Sequence, residues 1–179
     1  MKFTKTDIDG CYLITNKTFH DHRGYFSVPF NRDTLNNGVG YEVNFVQDNM
    51  SYSNKNVIRG LHFQMGEYEQ SKLVSCNYGR VLDVVVDIRK DSISFGKVIR
   101  IELSPTLDRT LFIPKGCAHG FSVLSDKALF QYKVDNFYNK ESEGGIIYND
   151  EVLNINWGIE RGTEIVSDKD QLLPKFLLL

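Results

Sequence analysis

The chain is poor in cysteine and histidine and carries no surplus of either charge. Its three cysteines, Cys11, Cys76 and Cys117, stand far apart in 179 residues. They are odd in number and form no C-x-x-C pair, which argues against a disulfide framework and a zinc ribbon. Net charge is −2 and no long basic run occurs, so nucleic acid is not an expected partner. The opening Met1-Lys2-Phe3-Thr4-Lys5-Thr6 holds no apolar signal region, and no apolar run reaches membrane-spanning length. A membrane is therefore not expected as a partner, and the cytoplasm is the expected compartment. Linkers, repeats and low-complexity stretches are absent, so residues 1–179 read as one domain. No Gly-rich phosphate loop is present, so any anion site must be built from side chains.

Aromatic residues are plentiful. Twelve Phe and nine Tyr favour strands and stacking surfaces. Short apolar runs recur between turn residues, as in β-sandwiches and barrels. Strands are predicted at 11–15, 25–30, 43–49, 57–63, 72–77, 80–88, 97–103, 110–113, 120–124 and 128–134. The β-branched run Val81-Leu82-Asp83-Val84-Val85-Val86-Asp87-Ile88 reads as a central buried strand. Asp83 and Asp87 share one of its faces, where turn and edge contacts are expected. Helical signal is weak. One or two turns are predicted over 31–36, ended by Asn37-Gly38, and a short helix is predicted in 168–179, interrupted at Pro174. The apolar end Phe176-Leu177-Leu178-Leu179 is expected to pack on the body or on a partner subunit.

The chemistry-bearing residues concentrate in Arg59-Gly60-Leu61-His62-Phe63-Gln64, in Gln70-Ser71-Lys72, and in Pro114-Lys115-Gly116-Cys117-Ala118-His119-Gly120-Phe121. Polar groups on an inward strand face are costly unless they meet a partner or a ligand. Two histidines beside glycine turns in a β-rich chain suggest a barrel with a polar pocket. Metal-binding cupins place two histidines two residues apart; here His62 is followed at that spacing by Gln64, a poor ligand for a transition metal. A metal-free pocket is the expectation. A lone histidine is commonly a core residue bonded to backbone. With Arg59, Gln64 and Lys72 close by, His62 reads instead as a general base, since imidazole titrates at about 6.5. Tyr132 alone reads as a core tyrosine with its hydroxyl at the surface. Arg23, Arg59, Lys72 and His119 together suit a diphosphate or a carboxylate, although each cation alone reads as a solvated surface charge.

A series of ordered motifs resembles the dTDP-4-dehydrorhamnose 3,5-epimerases, the RmlC-like cupins. The series runs through Phe19-x-Asp21-x-Arg23-Gly24-Tyr25-Phe26, Gln47-Asp48-Asn49-x-Ser51-x-Ser53 and Arg59-Gly60-Leu61-His62-Phe63-Gln64. It continues through Gln70-x-Lys72-Leu73-Val74, Gly79-x-Val81-x-Asp83-Val84, Pro114-x-Gly116-x-Ala118-His119-Gly120-Phe121 and Tyr132-Lys133. Glu143-x-Gly145-Ile146 and Ser167-x-Lys169-Asp170 close it, and the resemblance covers residues 12–174. The resemblance implies an all-β double-stranded β-helix, a jelly-roll barrel with a few short peripheral helices. It implies no metal and no redox cofactor, a dTDP-linked 4-keto sugar as substrate, and a homodimer with exchanged N-terminal strands.

In that family frame, His62 would take the proton from C3 or C5, and Asp170 would orient it. Tyr132 would return a proton from the opposite face, and Lys72 would stabilise the enolate oxygen. Phe19, Arg23, Gln47, Asn49, Arg59, His119, Tyr138, Glu143 and Lys169 fall on substrate-contact positions. Tyr138 would stack on the base, and Phe19 and Arg23 would serve the neighbouring subunit's pocket. Two departures stand out. Val28 replaces the usual glutamate, and Met65-Gly66-Glu67-Tyr68-Glu69 replaces a proline-containing loop. They bear on substrate more than on reaction. The competing readings are a single-centre epimerase, an epimerase of another nucleotide sugar, a non-catalytic sugar-binding cupin and a metal-dependent cupin.

Overall fold

A computed structural model describes residues 1–178 of the chain. In chain order the strands are β1 (Lys2–Lys5), β2 (Tyr12–Thr15), β3 (Thr18–Asp21), β4 (Gly24–Ser27), β5 (Gln47–Asn54), β6 (Ile58–Gln64), β7 (Lys72–Tyr78), β8 (Val81–Asp87), β9 (Val98–Leu103), β10 (Arg109–Ile113), β11 (Cys117–Val123), β12 (Lys127–Val134) and β13 (Glu143–Gly145). The helices are α1 (Arg32–Val39) and α2 (Asp168–Gln171). Every named strand pair is antiparallel. One sheet runs β1-β2-β10-β7-β12-β5, a second runs β13-β6-β11-β8-β9, and β3 and β4 form a separate hairpin. This is the double-stranded β-helix of the cupins.

The alternation of side chains across each strand decides what the sheets enclose. Between them lie Val74 and Cys76 of β7, Phe130 of β12, Val81 and Val85 of β8, and Phe121 of β11. Phe121 and Phe130 stack with centroids 4.2 Å apart, joining the two sheets. The opposite face of β8, Val84 and Val86, is also covered, by Ile146, Trp157 and Phe176. The expected central buried strand is therefore present. Both aspartates are wholly enclosed, and the expected turn contacts hold for Asp87, which ends β8, but not for Asp83, which lies in mid-strand. Asp87 is tied by Arg89, Ser92 and Ser94, and Asp83 by His119. A carboxylate can occupy such a strand because these donors replace its water.

Elsewhere the boundaries shift for local reasons. The strand expected from residue 43 begins at Gln47, because the Val43 N–H is taken by the Asn36 side chain and Val43 packs on α1. The 25–30 strand ends at Ser27. α1 is capped by Asn31, whose side chain accepts from the Thr34 N–H, and it runs past Gly38 to a left-handed Gly40 at φ +88. Gly38 lies inside the helix, where a Cβ would overlap the Phe3 ring. The short strands β1, β3 and β13 carry at most one apolar side chain each, Phe3 in β1 and Phe19 in β3, and were not predicted. In the tail, α2 precedes Pro174, and Phe176 is buried against Phe95 with centroids 5.5 Å apart. Packing on the body is thus realised by Phe176, whereas Leu177 is exposed. Leu179 lies outside the described residues.

Candidate active site

A cavity of about 900 Å³ opens between the sheets. Gln47, Asn49 and Ser51 of β5 line it, and Ser53 lies behind them on the same strand. Gln47 donates to Asn49 Oδ1 at 2.7 Å, and Ser53 Oγ accepts from Arg59 Nε at 3.1 Å. β6 contributes Arg59 and His62, β7 Lys72, β11 His119, and β12 Tyr132. Tyr138, Glu143, Lys169 and Asp170 complete the wall. Eleven of the thirteen residues singled out from the sequence thus line one cavity. The exceptions are Phe19 and Arg23, on the β3–β4 hairpin. Arg23 is exposed and bonded to Asp21 at 2.6 Å, and Phe19 is half exposed beneath the Lys17 amine.

The tightest element is a His–Asp pair. His62 Nε2 meets Asp170 Oδ1 at 2.7 Å, and the Gly60 N–H donates to Asp170 Oδ2 at 3.2 Å. α2 sets this carboxylate in place: Ser167 caps the helix by accepting from the Asp170 N–H. Burial pushes the Asp170 carboxyl up, but the bonds from His62, Gly60 and Ser167 outweigh it and hold the group below the usual range. His62 keeps about a third of its side chain exposed, so the dyad is anchored at one end and open to the cavity at the other.

Lys72 is buried, and its amine donates to the His62 carbonyl at a long 3.5 Å. Burial draws this amine down to about 8, opposed chiefly by Asp83. Its nitrogen lies 6.0 Å from the Tyr132 ring centroid. Tyr132 is half-buried against Phe130, and its phenol is pushed up by burial. It keeps its proton at neutral pH. At the rim, Glu143 accepts from Tyr138 at 2.9 Å and from Lys169. Burial raises the Glu143 carboxyl, and the Lys169 and Tyr138 bonds bring it below the usual range.

Gln64 also reaches the cavity wall, and its side-chain oxygen accepts from the Asn139 N–H at 2.9 Å. The loop that departs from the family pattern is held in the same way, by Asn136 donating to the Glu67 carbonyl at 2.7 Å. Both bonds steady the segment that bears Tyr138. Among the described residues, no group of three or more His, Cys, Asp or Glu side chains is placed to hold a metal ion. Sequence reasoning missed Asp83, which pairs with His119 Nε2 at 2.9 Å directly behind the cavity. Its signal was the parity of β8, which puts Asp83 on the inward face with Val81 and Val85.

This arrangement has counterparts. A family profile described as dTDP-4-dehydrorhamnose 3,5-epimerase matches residues 5–177. The Escherichia coli K12 enzyme of that name is 50% identical over 97% of this chain and 93% of its own. The crystal structure of the Elizabethkingia anophelis enzyme superposes with a TM-score of 0.95 at 48% identity, covering 99% of this chain and 97% of that one. The Legionella pneumophila epimerase, solved in complex with dTDP-4-keto-L-rhamnose, has a TM-score of 0.94 at 41% identity and covers 99% and 94%. The chain belongs to the dTDP-4-dehydrorhamnose 3,5-epimerase family.

Proposed function

We propose that this chain inverts C3 and C5 of dTDP-4-dehydro-6-deoxy-D-glucose to give dTDP-4-dehydro-L-rhamnose, in the assembly of dTDP-L-rhamnose for surface polysaccharide. The observation that carries the reading is the His62–Asp170 dyad opening onto the same cavity as the protonated Tyr132 phenol. Both carbons lie next to the C4 ketone, so loss of either proton gives an enolate. His62 takes that proton, and Asp170 orients the ring and offsets the charge it gains. Tyr132 donates a proton to the carbon from the opposite face, which inverts the centre; water then returns a proton to the phenol and takes one from His62, resetting both for the next centre. Lys72 stabilises the oxygen as its charge grows. No electron leaves the sugar, so no redox cofactor enters the balance.

Arg59 and His119 hold the diphosphate and sugar, with Gln47 and Asn49 beside them. Tyr138 stacks on the base once it leaves Glu143, and Lys169 and Glu143 close the rim. Phe19 and Arg23 act in the pocket of a second copy. Supporting this, among the described residues the β3–β4 hairpin pairs only with itself and β5 is paired on one side only, and Phe19, Tyr25 and Phe26 are exposed. A homodimer that exchanges N-terminal strands covers these surfaces. Val28, just past β4, belongs to the same exchanged segment. Residues 1–179 act as one cupin domain. Among the described residues, no helix is long and apolar enough to cross a membrane. Three unpaired thiols suit a cytoplasmic site of action.

The test is proton NMR of dTDP-4-keto-6-deoxyglucose with the enzyme in D2O. Deuterium at both C3 and C5 is expected. Deuterium at one carbon only would reassign the chain to a single-centre epimerase, and none would remove this substrate.

A further inference from the structure

Behind Lys72 and His119 stands one buried group to which the mechanism gives no task. Asp83 is wholly enclosed. Its Oδ2 meets His119 Nε2, while Oδ1 has no hydrogen-bond partner among the described residues. A buried carboxylate paired on one oxygen is costly unless a nearby charge compensates it. Lys72 presents the complementary problem, a buried amine whose hydrogen bond to the His62 carbonyl is long.

The groups around Lys72 leave one source of compensation. Its amine meets the His62 carbonyl of β6 and lies near the Tyr132 ring of β12, and it interacts through charge with Asp83 on β8, Cys117 and His119 on β11 and Glu143 on β13. Burial pushes the Cys117 thiol and the Tyr132 phenol up, so both are neutral, and it pushes the His119 imidazole down, so that is neutral too. The Glu143 charge is shared with Lys169 and Tyr138, and the His62 ring nitrogen is committed to Asp170. Burial raises the Asp83 carboxyl as well. The amine and the carboxyl are thus the two buried groups of opposite charge type left to balance each other, and the carboxyl still has one oxygen, Oδ1, without a hydrogen bond among the described residues.

We propose that Asp83 is a positioning residue that keeps the Lys72 amine charged at the place where the substrate's ketone oxygen becomes an enolate, while holding the His119 ring against the cavity wall. This rests on the role proposed above for Lys72. Only the ammonium form can stabilise the enolate, so activity falls as pH rises through the Lys72 titration. Removing the Asp83 charge moves that titration to lower pH. An opposite charge at close range is worth about one to three pK units.

The experiment is the pH dependence of kcat and KM for the wild type, Asp83→Asn and Lys72→Met, with the Lys72 titration followed by NMR of 13Cε-lysine protein. Asparagine keeps the size of the residue and a polar atom within reach of His119. The alkaline limb of kcat in Asp83→Asn is expected to move down by about one unit or more, with the Lys72 resonance moving alike and KM on the acid side little changed. A limb that stays in place, while Lys72→Met loses activity, overturns the inference about Asp83 alone. Wild-type kcat in Lys72→Met overturns the Lys72 role and this inference with it. Should Asp83→Asn fail to fold, the wild-type titration decides: an ammonium at neutral pH supports the inference, and a neutral amine overturns it.

Discussion

Two histidine–aspartate pairs sit side by side, and they differ in their access to water. His62 and His119 are register partners on β6 and β11, and each ring meets a carboxylate within 2.9 Å. The side chains of His62 and Asp170 are 34% and 6% exposed, while those of His119 and Asp83 are 6% and 0% exposed. A proton carrier must reach both its substrate and a source of protons, and only the first pair opens that way. The second is largely covered by Phe130, whose ring stacks on His119 at 6.0 Å and on Phe121, so that only one side of the His119 ring meets the cavity and Asp83 does not. Burial there holds the imidazole neutral. Identical residue types thus stand open to the cavity in one setting and enclosed in the other, which suits the first to the proposed base and the second to a fixed contact.

The comparison can be broken at several points. Asp170→Asn removes the charge that orients His62, and kcat is expected to fall on the order of 10³ to 10⁴-fold with KM little changed; steady-state kinetics checks this. Lys72→Met removes the enolate-stabilising cation, with an expected loss of about 10² to 10³-fold in kcat. Phe130→Ala opens the covered pair and leaves a cavity between the sheets, at about 3 to 5 kcal/mol of stability, read by denaturant unfolding. The smallest effect concerns Asp87, four residues beyond Asp83 on the same strand. Burial raises its carboxyl, but bonds from Arg89, Ser92 and Ser94 bring it to about 2. Its folded pKa lies below the unfolded value. Its contribution of about 2 to 3 kcal/mol is therefore present above about pH 4 and lost as pH falls toward 2. Wild-type stability should decline over that window, and Asp87→Asn, less stable at neutral pH, should decline less.

Much of the open pair was legible from the sequence. His62 stood out by its company of Arg59, Gln64 and Lys72, whereas the roles of Lys72 and Tyr132, and the partner Asp170 that lies 108 residues from His62, came by resemblance. No spacing rule selects a carboxylate at that distance, because a short capped helix brings it home. The covered pair was half legible. His119 stood out, whereas Asp83 was read as a turn or edge residue because an acid in a β-branched run seldom lies buried. Strand 43–49 began late because one side chain, Asn36, captured a backbone donor that periodicity cannot see. Phe19 and Arg23, which the motifs also marked, lie outside the cavity of their own chain.

The most direct test sets His62→Asn beside His119→Asn and follows deuterium wash-in at C3 and C5 of the 4-keto sugar at saturating substrate. The account predicts that His62→Asn loses exchange at both carbons, while His119→Asn keeps it and shows a raised KM. Exchange that survives in His62→Asn and vanishes in His119→Asn would place the base in the covered pair and contradict the account.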